Sequence, residues 1–417
     1  MRIVRRSLAA SCGLAVLVVQ PHAQAQPAAG SDRPASIASA PLEPVGASPA
    51  VVQTAPVDPP SKAAAGAAAL DRPSLALGGF IAAQVTFDSN DAVRQNHLIS
   101  VDGQGNAGRF GWAFDATRLN LVGRMGLGGF TLEGRAEADM QSAIFFRIRH
   151  AYAAVSKNGT TLLLGQTDTL IGNQVGPHNF NNDWMFAQGN AYDRMPQLRV
   201  SHDRGRFFVA AALLPNVHGA ADVIPHAQAR VLVRFAQGKG LVGAAGHIGY
   251  SNRVKNPANA SQEIDGVLSY LAALDAGIPL GPLALSAQIW IGAGAAHGTG
   301  GHAIGNPLFV VTSQGSARSI PAAGGFVDLL CKLGARLALG VAAGASVIVD
   351  AAPDGVAVPL SSNATAVVYA SFALRPGWVF ALEAQGARTA RALEATMPSQ
   401  HTAVYDGRLL FGQQYSF

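Results

Sequence analysis

The chain has 417 residues, of which 49% are hydrophobic and only 13% are charged, and its formal net charge is +5. Soluble globular chains carry about 25% charged residues, so this composition argues against an ordinary soluble protein. Without residues 1–25, which contain Arg2, Arg5 and Arg6, the chain has 27 basic and 25 acidic residues. A nearly neutral chain gives no support for nucleic-acid binding.

The N-terminus has the pattern of a secretory signal peptide. The three arginines precede an apolar stretch at residues 8–19, and Ala23-Gln24-Ala25 follows as a small-residue cleavage site. We therefore predict a signal peptide over residues 1–25. The apolar stretch has twelve residues, whereas a spanning helix needs about 20, so it is not a membrane anchor.

Residues 26–74 are rich in Ala, Pro and Ser and show little apolar periodicity. Such a segment buries too little surface to offset its ordering entropy, so we expect a mostly disordered leader in the periplasm. Its prolines exclude a continuous coiled coil, although a short helix over residues 63–70 stays open. Beyond the signal peptide Cys331 is the single cysteine, which excludes an intrachain disulfide.

From residue 75 to residue 417 the chain is a succession of short β-like segments. They lie near residues 75–87, 110–125, 129–140, 145–156, 160–167, 196–203, 206–214, 224–236, 240–251, 263–275, 282–293, 322–332, 335–349, 363–374, 378–387 and 404–417. These are sixteen segments, and an even number suits a closed antiparallel barrel with both termini on one side. We predict an all-β fold, a transmembrane up-and-down β-barrel of about 16 strands.

The connections between the segments alternate between short and long. The short ones are 126–128, 157–159, 204–205, 237–239, 276–281, 333–334 and 375–377, and the long ones include 88–109, 168–195, 294–321 and 388–403. Most short connections contain glycine, as tight hairpins require. Tight turns at one end and long loops at the other are typical of outer-membrane barrels.

Several segments have one polar and one apolar face. In residues 129–140, Glu133, Arg135 and Glu137 alternate with Leu132 and Ala136. The last segment ends on the aromatic residue Phe417, which resembles the terminal signal of outer-membrane barrels. In 110–125 the alternation falls out of phase, which suggests a bulge near residue 116 or a strand top that projects above the membrane. Segments 240–251 and 335–349 are mostly Gly, Ala and Val, so their register is poorly specified.

Three motifs resemble the DcaP-like porins of proteobacteria. They are Phe-Asp-Ala-Thr-Arg-Leu at residues 114–119, Phe-Arg-Ile-Arg-His-Ala-Tyr at 146–152 and Gly-Gln-Thr at 165–167, with weaker support from residues 324–329 and the terminal Phe. The resemblance implies a trimeric sixteen-stranded porin that favours dicarboxylate-like anions. The chain departs from that family at Asp168, where an aromatic residue is usual, and in its Pro/Ala-rich leader.

Alternation places charged residues on the wet face of the predicted barrel. The predicted pore-lining residues are Arg118, Arg124, Glu133, Arg135, Glu137, Asp139, Arg147, Arg149, Arg199, Arg230 and Arg234. Guanidinium groups bind carboxylates in a bidentate manner, so we expect a channel for small polar solutes that favours organic anions. The alternatives are that these arginines pair with the neighbouring carboxylates in a charge-balanced wall, or that the lumen is filled and the barrel has an anchoring role.

The connection 168–195 is the predicted constriction loop. Its candidate residues are Asp168, His178, Asn182, Asp183 and Trp184. A connection of this length is usually functional or disordered, and a solvated surface loop is the alternative. Because His150 and Tyr152 alternate with Arg147 and Arg149, we expect both to face outward and His150 to lie at a subunit interface. The competing interpretation is a register slip that turns His150 inward.

The sequence contains none of the common catalytic or metal-binding motifs, such as HExxH, CxxC, GxSxG or a Walker glycine loop. We therefore expect no enzymatic activity, no cofactor and no metal. A phospholipase-like barrel would need an outward Ser and His pair, and a plugged receptor would need a longer N-terminal domain. The expected partners are small anionic or polar solutes, the lipid of a Gram-negative outer membrane and two further copies of the chain.

Overall fold

The computed structural model describes residues 73–89, 108–140, 146–172, 178, 180, 189, 191, 194–215, 225–256, 259–294, 309–311, 317–349, 360–392 and 401–417. The predicted signal peptide and nearly all of the predicted leader lie outside the described residues. So do the loop residues Asn182, Asp183 and Trp184. The predictions made for them remain predictions.

The described part of the chain is built almost entirely of β-strands. The strands are β1 (Ser74–Asp88), β2 (Arg109–Ala113), β3 (Arg118–Leu127), β4 (Phe130–Asp139), β5 (Arg147–Lys157), β6 (Thr160–Asp168), β7 (Arg194–Arg204), β8 (Phe207–Leu214), β9 (His226–Phe235), β10 (Gly240–Asn256), β11 (Asn259–Leu280), β12 (Leu283–Ala293), β13 (Phe309–Val311), β14 (Ala317–Ser319), β15 (Pro321–Lys332), β16 (Leu337–Ile348), β17 (Leu360–Arg375), β18 (Trp378–Ala392) and β19 (His401–Ser416). Among the described residues, no helix has the length and apolar character needed to cross a membrane.

The sheet closes on itself. β1 pairs antiparallel with β19 on one side and with β2 and β3 on the other, and the remaining strands pair with their neighbours along the chain. β2 and β3 follow successive parts of β1 and therefore occupy one position in the barrel. β13 and β14 form a separate hairpin, and β12 pairs directly with β15. The predicted sixteen-stranded, up-and-down antiparallel barrel is confirmed.

A turn separates β2 from β3 at the place where the sequence alternation fails. The amide of Thr117 donates to the carbonyl of Phe114 at 2.9 Å. The Thr117 hydroxyl accepts from the amide of Ala82 and donates to its carbonyl, both at 3.1 Å. This side chain thus replaces the missing ladder hydrogen bonds of β1. The irregularity lies where we predicted it, but it is a turn rather than a bulge.

Tight turns lie at one end of the barrel, as predicted. The β5–β6 hairpin turns at Asn158 and Gly159, which have φ angles of 51° and 81°. Both angles lie in the left-handed region, where Asn and Gly are the favoured residues. Residues 158–159 are therefore a hairpin turn.

The two faces of the barrel have opposite polarity. On β12, Ser286 and Gln288 point inward and are buried, whereas Ile289 and Ile291 are 62% and 57% exposed on the outside. On β19, Arg408 is buried while Phe411 is exposed. A polar interior with an apolar exterior is the reverse of a soluble barrel, and it suits a wall surrounded by lipid. The fold is therefore that of a transmembrane β-barrel.

Candidate functional site

A cluster of arginines and carboxylates covers the inner wall where β4 meets β5. Asp139 accepts hydrogen bonds from Arg147 at 2.6 and 3.1 Å and from Arg149 at 2.6 Å. Glu137 pairs with Arg149 at 3.2 Å and with Arg135 at 2.6 Å. Two carboxylates thus hold three guanidinium groups in a continuous network.

The network continues toward the tight-turn end of the barrel. Arg135 also donates to the side-chain oxygen of Asn120 at 3.1 Å. Arg124 pairs with Glu133 at 2.8 Å, and the Tyr152 hydroxyl donates to the same carboxylate at 2.9 Å. These polar side chains on the inner face of β3, β4 and β5 are therefore joined across the strands, as cross-strand pairs on one face of a sheet should be.

The wall formed by β3, β4 and β5 has more positive than negative charge. It carries five arginines, Arg118, Arg124, Arg135, Arg147 and Arg149, and three carboxylates, Glu133, Glu137 and Asp139. Burial divides the arginines. The side chains of Arg124 and Arg147 are 47% and 40% exposed, whereas that of Arg149 is only 4% exposed. Of these three, only Arg124 and Arg147 present a guanidinium that a solute can reach.

β5 contains a bulge that changes which residues point inward. Glu137 pairs with His150 and Ala138 pairs with Ile148, so Arg149 is the extra residue. Arg149 and His150 are consecutive in the chain, yet both are buried inside the barrel. The imidazole Nδ1 of His150 lies 2.9 Å from the Thr167 hydroxyl. Our expectation that His150 and Tyr152 face outward is wrong, because the bulge reverses the alternation after Arg149.

Two further predicted pore-lining arginines, Arg199 and Arg234, have partners elsewhere on the wall. Arg199 donates to Gln197 at 2.9 Å and to the backbone carbonyl of Asp168. Arg234 pairs with Asp203 through two hydrogen bonds of 3.0 Å near the tight turns. Arg199 is buried and the Arg234 side chain is 13% exposed, so both brace the wall more than they face open space.

Arg230 holds the beginning of the loop that follows β6. Its guanidinium donates to the carbonyls of Leu170 and Gly172 at 2.7 and 2.9 Å and pairs with Asp275. The side-chain oxygen of Gln228 accepts the amide of Leu170 at 2.9 Å. The loop therefore turns into the barrel as soon as β6 ends.

Gln288 on β12 ties the two arms of this loop together. Its amide nitrogen donates to the carbonyl of Ile171 at 3.1 Å, and its oxygen accepts the amide of Ala191 at 2.7 Å. On the same strand, the Trp290 indole donates to the carbonyl of Gly189 at 2.8 Å. Two inward side chains of one strand thus fix both the outgoing and the returning backbone.

The loop extends further, across the inside of the barrel to β15 and β18. Asp328 on β15 accepts the amide of His178, lies 3.0 Å from its Nδ1 and accepts the Tyr369 hydroxyl at 2.6 Å. Glu383 on β18 accepts the amide of Phe180. Arg230, Gln288, Asp328 and Glu383, which bind the described loop residues, lie on β9, β12, β15 and β18, whereas the arginine cluster lies on β3, β4 and β5.

The structure therefore brings together most of the predicted charged residues, and it adds others. Asp168 pairs with Arg194 at 3.1 Å at the base of the loop. Asp275, Gln288, Asp328 and Glu383 were not among the predicted site residues. The feature of the sequence that could have identified them is a single polar residue on the inward face of an otherwise apolar strand. Among the described residues, no group of three or more His, Cys, Asp or Glu side chains is arranged to hold a metal ion.

Solved structures of outer-membrane channels share this fold. The outer membrane channel DcaP of Acinetobacter baumannii matches with a TM-score of 0.68 and 17% identity, covering 83% of this chain and 97% of that one. An anion-selective porin from Comamonas acidovorans matches with a TM-score of 0.56 and 12% identity over 83% of this chain and 100% of that one. OmpT of Vibrio cholerae, in its trimer form, matches with a TM-score of 0.53 and 12% identity over the same shares.

No protein-family model and no curated protein sequence matches the chain. At these low identities, the similarity to solved structures establishes the fold. It is the fold of DcaP-like and other porins of the Gram-negative outer membrane, as the sequence motifs predicted.

Proposed function

We propose that this chain is an outer-membrane porin that forms a water-filled diffusion channel for small polar solutes. The observation that carries the proposal is a closed barrel with an apolar outside and a charged inner wall opposite a loop that lies within the barrel. A diffusion channel needs no catalytic group, because the width and the charges of its lumen set its selectivity. The structurally similar proteins include an outer membrane channel and an anion-selective porin, which supports the same role.

We further propose a preference for organic anions such as dicarboxylates. The inner wall of β3, β4 and β5 has five arginines and three carboxylates, so positive charge exceeds negative charge on this wall. Among the arginines that form ion pairs on this wall, Arg124 and Arg147 have the most exposed side chains. They can bind a carboxylate transiently, since a solute that binds too tightly does not leave.

A charge-balanced porin is the second candidate. Arg124, Arg135 and Arg147 each lie within 2.8 Å of a wall carboxylate. If these pairs persist while solutes pass, they neutralise most of the positive potential and leave little preference between ions of opposite sign. The two candidates predict different ion selectivity in the same channel.

The test is the reversal potential across a planar bilayer in a potassium chloride gradient. We expect the wild type to prefer chloride, and the double variant Arg124→Gln, Arg147→Gln to lose most of that preference. Arg388→Gln is the matched control, because Arg388 is exposed on the outer face of β18. A wild type that shows no preference, or prefers potassium, would reject the anion proposal and leave the porin proposal intact.

We also propose that the chain assembles as a homotrimer with its leader in the periplasm. The structurally similar OmpT of Vibrio cholerae occurs in a trimer form. Native mass spectrometry of the detergent-solubilised protein measures the number of copies directly. A single-copy mass at concentrations that support channel activity would contradict the trimer and leave conductance as a separate question.

A further inference from the structure

The tight-turn end of the barrel carries a ring of positive charge. The seven tight turns that join β3–β4, β5–β6, β7–β8, β9–β10, β11–β12, β15–β16 and β17–β18, each taken with the last residue of one strand and the first of the next, contain no Asp or Glu. They contain seven cations, Lys157, Arg204, Arg206, Lys239, Lys332, Arg336 and Arg375. All seven are exposed. Three of the five lysines of the chain lie in this ring, although lysine is otherwise rare in the sequence.

Aromatic side chains on the outside of the barrel fix the position of several of these cations. The Lys157 ammonium lies 4.3 Å from the ring centroid of Phe130. The Arg375 guanidinium lies 5.1 Å from the ring of Trp378 and 5.9 Å from that of Tyr415. Each of these distances is short enough for a cation–π contact.

A third cation repeats the arrangement on another hairpin. The Arg206 guanidinium lies 5.9 Å from the ring of Phe207, which is 57% exposed on the outer face of β8. The cations are therefore held over the outer, lipid-facing edge of the rim. Aromatic belts lie at the level of lipid headgroups, so the stacked cations lie at the level of the headgroup phosphates.

We propose that this basic ring, the seven cations named above, binds the phosphates of anionic phospholipids in the membrane leaflet that faces the periplasm. Arginine and lysine bind phosphate oxygens through charge-assisted hydrogen bonds, and basic clusters at a membrane surface attract anionic lipids. Among the described residues, none of the seven cations forms an ion pair, and Asp203, the carboxylate beside Arg204, pairs with Arg234 instead. The inference rests on the proposed position of the leader in the periplasm, because the leader enters β1 at the tight-turn end, where Ser74 pairs with Arg124. It is independent of the transported solute.

The ring also has the charge to bind carboxylates of the cell-wall polymer below the membrane. The stacking on outward aromatic rings favours lipid, because it directs the cations sideways to the bilayer rather than down into the periplasm. The two partners give different results with the same variants.

The test uses the full-length protein reconstituted in phosphatidylcholine vesicles that contain spin-labelled phosphatidylglycerol or spin-labelled phosphatidylcholine. Electron paramagnetic resonance then measures the relative association of the two lipids with the barrel. We expect the wild type to prefer phosphatidylglycerol about fivefold, the ratio expected from one favourable basic contact with an anionic lipid. The preference should fall with salt concentration, because exposed charges are screened.

The triple variant Lys157→Gln, Arg206→Gln, Arg375→Gln should lose most of this preference and keep the conductance of the wild type. Arg388→Gln, which lies on the outer face away from the tight turns, should keep the preference. Equal association of the two lipids with the wild type would overturn the proposal, as would an unchanged preference in the triple variant. The ring would be assigned to the cell wall by a different result. The wild type would then show no lipid preference but would sediment with isolated peptidoglycan, and only the triple variant would lose this sedimentation.

Discussion

Arg230 on β9 and Asp275 on β11 form an ion pair whose two side chains are both 0% exposed. They reach each other across β10 because Gly243 lies between them. A Cβ atom at Gly243 would lie 3.1 Å from Arg230 Nη2 and 3.1 Å from Asp275 Oδ1. Since Arg230 also binds two carbonyls of the loop that follows β6, this pair couples the barrel wall to the loop.

We predict that Arg230→Met lowers the free energy of unfolding by about 3 to 5 kcal/mol, the usual cost of leaving a buried charge without its partner. The double variant Arg230→Met, Asp275→Leu should regain much of this loss, because it removes the unpaired carboxylate as well. Urea unfolding in lipid vesicles measures both values. A single variant as stable as the wild type would contradict this role for Arg230.

Gln288 should control the mobility of the loop. In Gln288→Leu the carbonyl of Ile171 and the amide of Ala191 lose their side-chain partners, and each such loss in a buried site costs about 1 to 3 kcal/mol. We therefore expect larger fluctuations of the open-channel current in single-channel recordings. Gln413→Leu, which changes an exposed residue on β19, is the control and should show the same current fluctuations as the wild type.

Asp328 should hold the far part of the loop. The variant Asp328→Asn keeps the shape of the side chain but removes the charge that accepts from His178 and Tyr369. We expect the loop to detach from β15 more often, with a higher mean conductance than in the wild type. The matched variant Tyr369→Phe removes one hydrogen bond and leaves the His178 contact, so its conductance should change less. Equal conductance in Asp328→Asn and the wild type would show that other contacts hold this part of the loop.

Arg147 and Arg149 should contribute differently to the stability of the barrel, although both bind Asp139. Arg149 is buried and pairs with two carboxylates, so Arg149→Met should lower stability by about 3 to 5 kcal/mol. Arg147 is 40% exposed, and Arg147→Met should change stability by about 1 kcal/mol or less. Thermal unfolding of the two variants side by side checks the order. A larger loss of stability in Arg147→Met than in Arg149→Met would contradict the expectation that the buried arginine contributes more to stability than the exposed one.

The sequence predicted the barrel because its signals are local. Alternation along residues 129–140 separates the two faces of β4, and the tight turns mark the hairpins without reference to any distant residue. Even residues 241–251 of β10 and 338–348 of β16, whose small residues specify no register, pair with a neighbouring strand without a register shift, as between Gly243 and Asp275. The strongly patterned strands on either side set the register of the weak ones.

The loop contacts and the bulge could not be predicted in the same way. The bulge at Arg149 depends on how β5 pairs with β4, which alternation within β5 alone does not reveal. The contact of His178 with Asp328 joins residues 150 positions apart. A polar residue on an inward face is equally consistent with lining water and with binding a loop. Gln288, Asp328 and Glu383 were therefore indistinguishable from ordinary lumen residues before the structure was known.

The most direct test of a water-filled barrel is the current across a planar bilayer after addition of the purified wild-type protein. The account predicts stepwise increases in conductance, each proportional to the applied voltage at low voltage. A correctly folded barrel that inserts in the bilayer and yields no conductance steps would contradict it, and would indicate a filled lumen with an anchoring role.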